Sequence, residues 1–347
     1  MLRVCTKYLV NKLSKLNISC PICNSKNLSY IRSYSSLDAA SHIKRDAKRN
    51  ELKKISDYIA ENVWGQRKCD FMRCSICGFK FANPFVAGDS YLYNILYDKS
   101  NISSFFWKWD FDYAFNFIKK RLETGSKFLD VGAGPGHFIS KIANDVTMPE
   151  FCYVVEYSDI CRKEISKLKI NAFSEILMIS NKKEFFDCVS MFQVIEHMDD
   201  LYPQLKIIDT ITKKSGLIII SVPNDLQRDF YDRCKIYEDI PPTHLSRFNY
   251  KSFNLIAKKM NWDILKHSRH PAKSLEKFKR FLSIGMRNNL KFQRIKESYM
   301  HFPKVVKKLL NGLYILKFCL QNSVKILQLL LNKNLGTTQI VIFRKSK

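Results

Sequence analysis

The chain has 347 residues, 46% of them hydrophobic and 26% charged. That composition excludes a mostly disordered or collagen-like chain and leaves room for more than one domain. The formal charge of +26 is uneven: residues 1–100 carry 17 Lys+Arg against 8 Asp+Glu, residues 101–265 carry 22 of each, and residues 266–347 carry 19 against 2. Basicity therefore concerns partners of the chain's ends rather than the chemistry of the centre.

In chain order, the opening MLRVCTKYLVNKLSKLN lacks the uninterrupted apolar core of a signal peptide. The 11 cysteines are an odd number at spacings unlike those of a secreted disulfide scaffold. The expected location is the cytoplasm, with peripheral contact at the inner membrane face as an addition. Cys20-Pro-Ile-Cys23 and Cys74-Ser-Ile-Cys77 form two knuckles about fifty residues apart. Each turn aims two thiolates at one centre, and together they offer the four ligands of a structural zinc. Cys69 is a substitute ligand, and His42 a more remote one. Residues 36–63, without Gly or Pro, predict one or two helices between the knuckles. The aromatic stretch within 91–125 predicts a further helix.

From Lys127 onward strands and helices alternate. Strands are expected at 127–131, 151–156, 169–173, 187–192, 216–222 and 262–267, with helices between them. Their short, nearly continuous apolar runs predict parallel strands buried on both faces of a doubly wound α/β sheet. TQIVIFR (338–344) predicts a last strand that returns to that sheet. The expected division is a zinc-binding module with a helical insertion (1–95), a core (96–270), a basic helical insertion (271–335) and a closing strand (336–347). Within the insertion, Val305, Leu309, Leu313, Leu316, Leu320, Val324, Leu327 and Leu331 recur at three- and four-residue steps. One amphipathic helix over 305–331 would carry them, packing on the sheet domain or a second subunit, or resting its lysines on an anionic membrane. Segment 309–331 holds too many polar groups for a lipid-facing span.

Gly132, Gly134 and Gly136 are three of only 11 glycines, and they fall within five residues. They sit in FLDVGAGPGHF, where a strand runs into a turn and then a helix, a geometry that lets backbone approach a ligand closely. A dinucleotide site needs G-x-G-x-x-G, but here His137 stands where the third glycine belongs. Glu156 ends the next strand, where a carboxylate can accept both ribose hydroxyls of NAD or of S-adenosylmethionine.

The D-x-G-x-G-x-G turn, Asp130 included, resembles the first motif of class I S-adenosylmethionine-dependent methyltransferases. FDCVSMFQVIEHM (186–198) resembles their fourth-strand segment, GLIIISVPN (216–224) the fifth strand and its turn, and PTHLSRF (242–248) a stretch of the subgroup acting on small molecules and sugars. CPIC…CSICGFKFANPFVAGD with WKWDF is similar to members with an amino-terminal zinc module. The resemblance implies a Rossmann-like seven-stranded sheet with a reversed last strand. It implies S-adenosylmethionine held by Asp130, Gly132, Gly134, Gly136 and Glu156, with Gln193 beside its methionine part, and structural zinc on Cys20, Cys23, Cys74 and Cys77. No acid clearly ends the third strand, where many members contact adenine; Ser174 and Glu175 stand there. A base is required if the acceptor is a hydroxyl or a carbon acid, and His197, Glu196 and His244 are the candidates. The expected function is methyl transfer to a small or carrier-linked acceptor, preferably a nucleotide sugar or glycan intermediate. The alternatives are an RNA methyltransferase holding phosphates with its basic ends, and a non-enzymatic scaffold, which has no need of the glycine turn. Homo-oligomerisation through the carboxyl-terminal helices is a further expectation.

Overall fold

The computed structural model describes residues 18–44, 47–96, 107–287 and 301–347. The opening segment judged for a signal peptide lies outside the described residues, as do 97–106 of the helix expected within 91–125. The chain first forms β1 (Leu28–Ser35), α1 (Ser36–Ile43), α2 (Arg49–Tyr58), β2 (Lys68–Cys74) and β3 (Lys80–Asn83). A capping box starts α1: the Ser35 hydroxyl accepts the Asp38 amide and the Asp38 carboxylate accepts the Ser35 amide. Both helices fall within the expected 36–63 stretch. The three strands depart from the sequence reading, which placed none there. In β1 only Tyr34 is buried, and its pairing with β2 shifts register between Tyr30 and Arg32. Such a strand shows no clean alternation, because pairing and not patterning defines it.

Helices α3 (Ser90–Leu96) and α4 (Trp109–Ile118) lead to the central sheet. Its first strands are β4 (Phe128–Val131), β5 (Cys152–Val155), β6 (Asn171–Phe173), β7 (Phe186–Phe192) and β8 (Thr212–Pro223). They alternate with α5 (His137–Asp145), α6 (Asp159–Ser166) and α7 (Leu201–Ile211), and α8 (Asp225–Arg233) follows. The helix between β7 and β8 passes directly into a strand that starts earlier than the expected 216. Phe186 pairs with Thr212 before the register shifts, and Ser215 takes a left-handed φ of 61° to absorb the irregularity. After α8 come β9 (Ser246–Arg247), α9 (Tyr250–Met260), β10 (Trp262–Arg269), α10 (Ser274–Arg287), α11 (Lys304–Gln321), α12 (Ser323–Leu331) and β11 (Thr338–Lys345).

The seven strands lie in the order β10-β11-β8-β7-β4-β5-β6. Pairs β4–β5, β4–β7, β5–β6 and β7–β8 are parallel. The last strand runs the other way. At one end of β10–β11 the His270 amide meets the Thr338 carbonyl at 2.9 Å, and at the other the Ser346 amide meets the Asn261 carbonyl at 3.2 Å.

Alternate residues of each strand feed opposite faces. Phe128, Val154, Cys188, Ile219 and Ile342 pack with Ala114, Phe115, Phe138, Ile142 and Ile165 of α4, α5 and α6. Leu129, Val189, Met191, Ile218, Ile220 and Phe343 pack with Leu201, Leu205, Phe253 and Ile256 of α7 and α9, and with Phe79 and Phe81 of the small sheet. That sheet has the order β1-β2-β3-β9, so a strand from the far side of β8 completes it. Tyr202 of α7 also donates to the Ile22 carbonyl at 2.9 Å, and Asn249 to the Cys77 carbonyl at 3.1 Å.

Compactness thus groups the chain differently from boundaries at 95, 270 and 335. One unit comprises residues up to Pro223, Asp239–Ser268 and Gln339–Lys347; the other comprises Asn224–Glu238 and Arg269–Thr338. The second unit has its own core of Phe230, Tyr231, Ile236, Phe281, Ile284, Phe318, Leu329 and Leu335. Its carboxyl-terminal helices correct the single helix expected over 305–331, because the chain breaks between α11 and α12 at Asn322. Among the described residues no helix is long and apolar enough to cross a membrane.

Candidate active site

Chain order reverses between β4 and β7, which both border the centre of the sheet. Open α/β sheets bind ligands at such a switch point, beyond the carboxyl ends of the strands. The glycine turn leaves β4 there. Gly132 has φ +72° and Gly136 φ +84°, and a Cβ would meet Val194 Cγ2 at 2.5 Å and Ile165 Cγ1 at 2.7 Å respectively. A side chain at either position would be strained by the backbone conformation and would force Val194 or Ile165 to move. Gly134 is also left-handed, with φ 55°.

Glu156, just past β5, braces this turn. One of its carboxylate oxygens accepts the Gly134 amide at 2.7 Å, the other the Ser158 amide at 2.8 Å. The carboxylate keeps lone pairs for further donors, and Glu156 is half-buried, open to a ligand. Asp130 lies beneath the turn in β4, 2% exposed, and accepts the Ser190 hydroxyl of β7 at 2.6 Å. Burial pushes its carboxyl up to about 7; the Ser190 bond opposes the shift and the nearby Glu156 charge adds to it. Gln193, just past β7, has a φ of 58° and donates its amide to the Ser221 carbonyl at 2.8 Å and its side chain to the Ser221 hydroxyl at 3.0 Å. The Ser221 hydroxyl in turn donates to Asp110, which is fully buried on α4. Past β6, Ser174 turns its hydroxyl toward the Met178 sulfur at 3.3 Å. His137 is exposed on the first turn of α5.

Four residues past β7, the loop reaches Glu196 and His197. Glu196 is completely buried, and its carbonyl accepts the Leu245 amide at 2.8 Å. His197 is half-buried, and its Nδ1 bonds the Thr243 carbonyl. A carbonyl can only accept, so Nδ1 carries the proton and Nε2 is the basic nitrogen. Burial holds this imidazole below its ordinary range, against the raising effects of the Thr243 carbonyl and the Asp239 carboxylate. The His244 ring stands edge-on to it, centroids 4.5 Å apart, and the Tyr93 ring of α3 lies 6.2 Å from it. His244 Nδ1 is 3.2 Å from an Asp239 carboxylate oxygen. The structure therefore brings His197 and His244 together and leaves Glu196 behind them in the core.

The four cysteines of the knuckles converge. Cys20 and Cys77 sulfurs are 3.5 Å apart, as are those of Cys23 and Cys74, and Cys23 lies 3.7 Å from Cys77. All four sulfurs fall within 4.8 Å of one another. Zinc–sulfur bonds of about 2.3 Å in a tetrahedron put sulfurs about 3.8 Å apart, so the donor set fits that ion. Cys69 stays out of the cluster, with its sulfur 3.9 Å from the Asp70 and Pro84 carbonyls.

Asp110, Ser190, Ser221, Asp239 and Tyr93 belong to the site and were not legible beforehand. For Asp110 a signal did exist: it is an acid amid the aromatic run WKWDFDYAF, where burial of one acid face is the exception.

Residues 106–267 match a protein family described as a methyltransferase domain. No curated protein matches the chain. Similar solved structures include an S-adenosylmethionine-dependent methyltransferase from Archaeoglobus fulgidus, at 17% identity over 67% of this chain and 90% of that one, with a TM-score of 0.42. Another is phosphoethanolamine N-methyltransferase 2 from Haemonchus contortus in complex with S-adenosyl-L-methionine, at 14% identity over 99% and 74%, with a TM-score of 0.46. The family match spans the glycine turn, Glu156, Gln193 and both histidines. Over that segment, just under half of its length, the chain is similar to a methyltransferase domain.

Proposed function

We propose that this enzyme methylates a small or carrier-linked acceptor at an atom that must lose a proton, with nucleotide sugars and glycan intermediates as the preferred class. The observation that carries this reading is the pairing of His197 with His244 beside the donor turn. The turn and the histidine loop touch, since Val194 fills the space over Gly132. S-adenosylmethionine, when bound, supplies a methyl group already activated on a sulfonium. The glycine turn and Glu156 would hold it, the carboxylate accepting from ribose hydroxyls and the glycine backbone allowing close approach. What remains for the protein is alignment of the acceptor and removal of its proton. His197 Nε2 is unprotonated near neutral pH because burial disfavours the imidazolium, and Asp239 orients His244 beside it. Glu196, buried behind the loop, acts as its support. Cys20, Cys23, Cys74 and Cys77 hold one zinc with no open position, a structural role.

Purified protein assayed with methyl-labelled donor against sugar nucleotides, lipid-linked glycans and total RNA tests the acceptor class. Label in a sugar or glycan fraction is expected; label in RNA alone overturns the reading. The pH profile tests the base. Activity should rise with pH along a limb centred below about 6.5, the ordinary imidazole value, because the imidazole must be neutral to accept a proton. His197→Gln should lower kcat by about 10²-fold or more, the usual worth of a positioned base, and should erase that limb. An unchanged limb in this variant would remove His197 from the chemistry.

A further inference from the structure

The second unit carries a surface that methyl transfer leaves unused. Helices α11 and α12 are apolar on two sides. Their inner side packs: Phe318 and Leu329 are buried with Phe281 and Ile284 of α10, and the Phe281 and Phe318 rings lie 5.7 Å apart. Their outer side does not pack. Val305, Leu309, Leu313, Leu316, Leu320, Val324, Leu327 and Leu331 are each between 55% and 80% exposed. The stripe read from the sequence is therefore exposed in the single chain, while a second set of residues makes the core. Five branched apolar side chains along α11 and three along α12 are exposed in the way that marks an interaction surface.

We propose that this face docks the protein on an anionic lipid surface. Charge selects the occupant. Lys304, Lys308, Lys317 and Lys333 are exposed along the same helices and the turn after them, and no Asp or Glu occurs anywhere from residue 301 to 347. Two copies meeting through this face would press lysine against lysine with no acid from the segment to compensate. An anionic bilayer satisfies both features at once, taking the aliphatic side chains into its interface and the ammonium groups among its headgroups. The helices lie on the surface and do not cross it. Lys317 sits mid-helix on α11, and Asn311 and Lys325 are half-buried on the side away from the stripe. The proposal does not depend on the acceptor assigned above, and either can fail alone.

The test is flotation of the full chain with vesicles of phosphatidylcholine, or of equal parts phosphatidylcholine and phosphatidylglycerol, at low and high salt. Binding to the anionic vesicles only, weakened by salt, is expected. Because a chain of net charge +26 can adsorb by charge alone, the deciding variant is Leu309→Ser/Leu316→Ser/Leu320→Ser. It keeps every charge and alters only exposed positions, so its melting temperature should match the wild type. It should lose vesicle binding by about tenfold or more, since apolar area contributes to interfacial binding. Lys308→Gln/Lys317→Gln should weaken binding by about thirtyfold, about fivefold per lysine. Wild-type protein that ignores anionic vesicles at low salt overturns the proposal. So does a leucine variant that binds as well as wild type. A wild-type dimer in light scattering that ignores vesicles and dissociates on the leucine substitutions assigns the face to a second copy instead.

Discussion

Glu156, just past β5, and Asp130, on the neighbouring β4, are two carboxylates with opposite environments. Glu156 receives two backbone amides and faces outward, whereas Asp130 is sealed under the turn with one hydroxyl. Removing the first should therefore damage ligand binding. Glu156→Ala should weaken S-adenosylhomocysteine by about 1–3 kcal/mol, the worth of hydrogen bonds to a charged group, as read by calorimetric titration. Affinity for NAD with none for either sulfur compound would exclude the donor assignment. Removing the second should affect stability and its pH dependence. Burial raises the Asp130 carboxyl to about 7 in the folded chain, above its unfolded value near 3.9. The folded state then binds the extra proton, so this residue weakens folding as pH rises from about 4 through 7. Asp130→Asn removes that component and keeps an acceptor for Ser190. Its melting temperature relative to wild type should be higher at pH 8 than at pH 5; the reverse order would show that Asp130 is charged and stabilising in place. Both acids were readable from the D-x-G-x-G-x-G pattern and the end of the following strand. Asp239 was not, because it meets His244 only through a turn whose shape no local pattern announces.

At the scale of elements, the cysteine cluster and the small sheet stand or fall together. Cys74 ends β2 and Cys77 precedes β3, so a metal at the knuckles would fix the connection of the two strands, and β9 ties them to the loop bearing His244. Purified protein should contain about one zinc per chain. Cys74→Ser should lose the metal, and with it the melting transition of the wild type; unchanged zinc content and folding would refute the site. A second element-level device closes α12. Lys277 of α10, 2% exposed, donates to the carbonyls of Leu329 at 2.7 Å, Leu330 at 3.1 Å and Asn332 at 2.8 Å. These are the groups a helix end leaves without partners, and a cation there also suits the helix dipole. Lys277→Met should cost about 2 kcal/mol, the scale of charged hydrogen bonds, seen as a lower melting temperature. The parallel strands were legible because both their faces are buried and their apolar runs are continuous. The small-sheet strands were not: β1 buries only Tyr34 and shifts register at Tyr30/Arg32, and β3 spans only four residues. The stripe of α11 and α12 was legible as a stripe, but periodicity cannot say which of two apolar faces goes inward.

For the whole chain the relevant quantity is the segregation of charge along the sequence. The segment 101–265 carries 22 positive and 22 negative side chains, while 266–347 carries 19 against 2. Catalysis on a small acceptor would depend on the neutral segment, where contacts from backbone amides and half-buried groups would be screened little by salt. Catalysis on RNA would recruit the basic ends, and each neutralised phosphate adds to the salt dependence. A protein making six to ten phosphate contacts loses about a thousandfold or more in affinity between about 50 and 200 mM salt. Measuring kcat/KM across that range therefore separates the two acceptor classes. For a neutral small acceptor the value should change less than about twofold, since no condensed counterions are released. A nucleotide sugar, with only two phosphates, should show a shallow slope. A fall of three orders of magnitude would show the basic ends engaged with a polyanionic acceptor, and the small-acceptor reading would have to be given up.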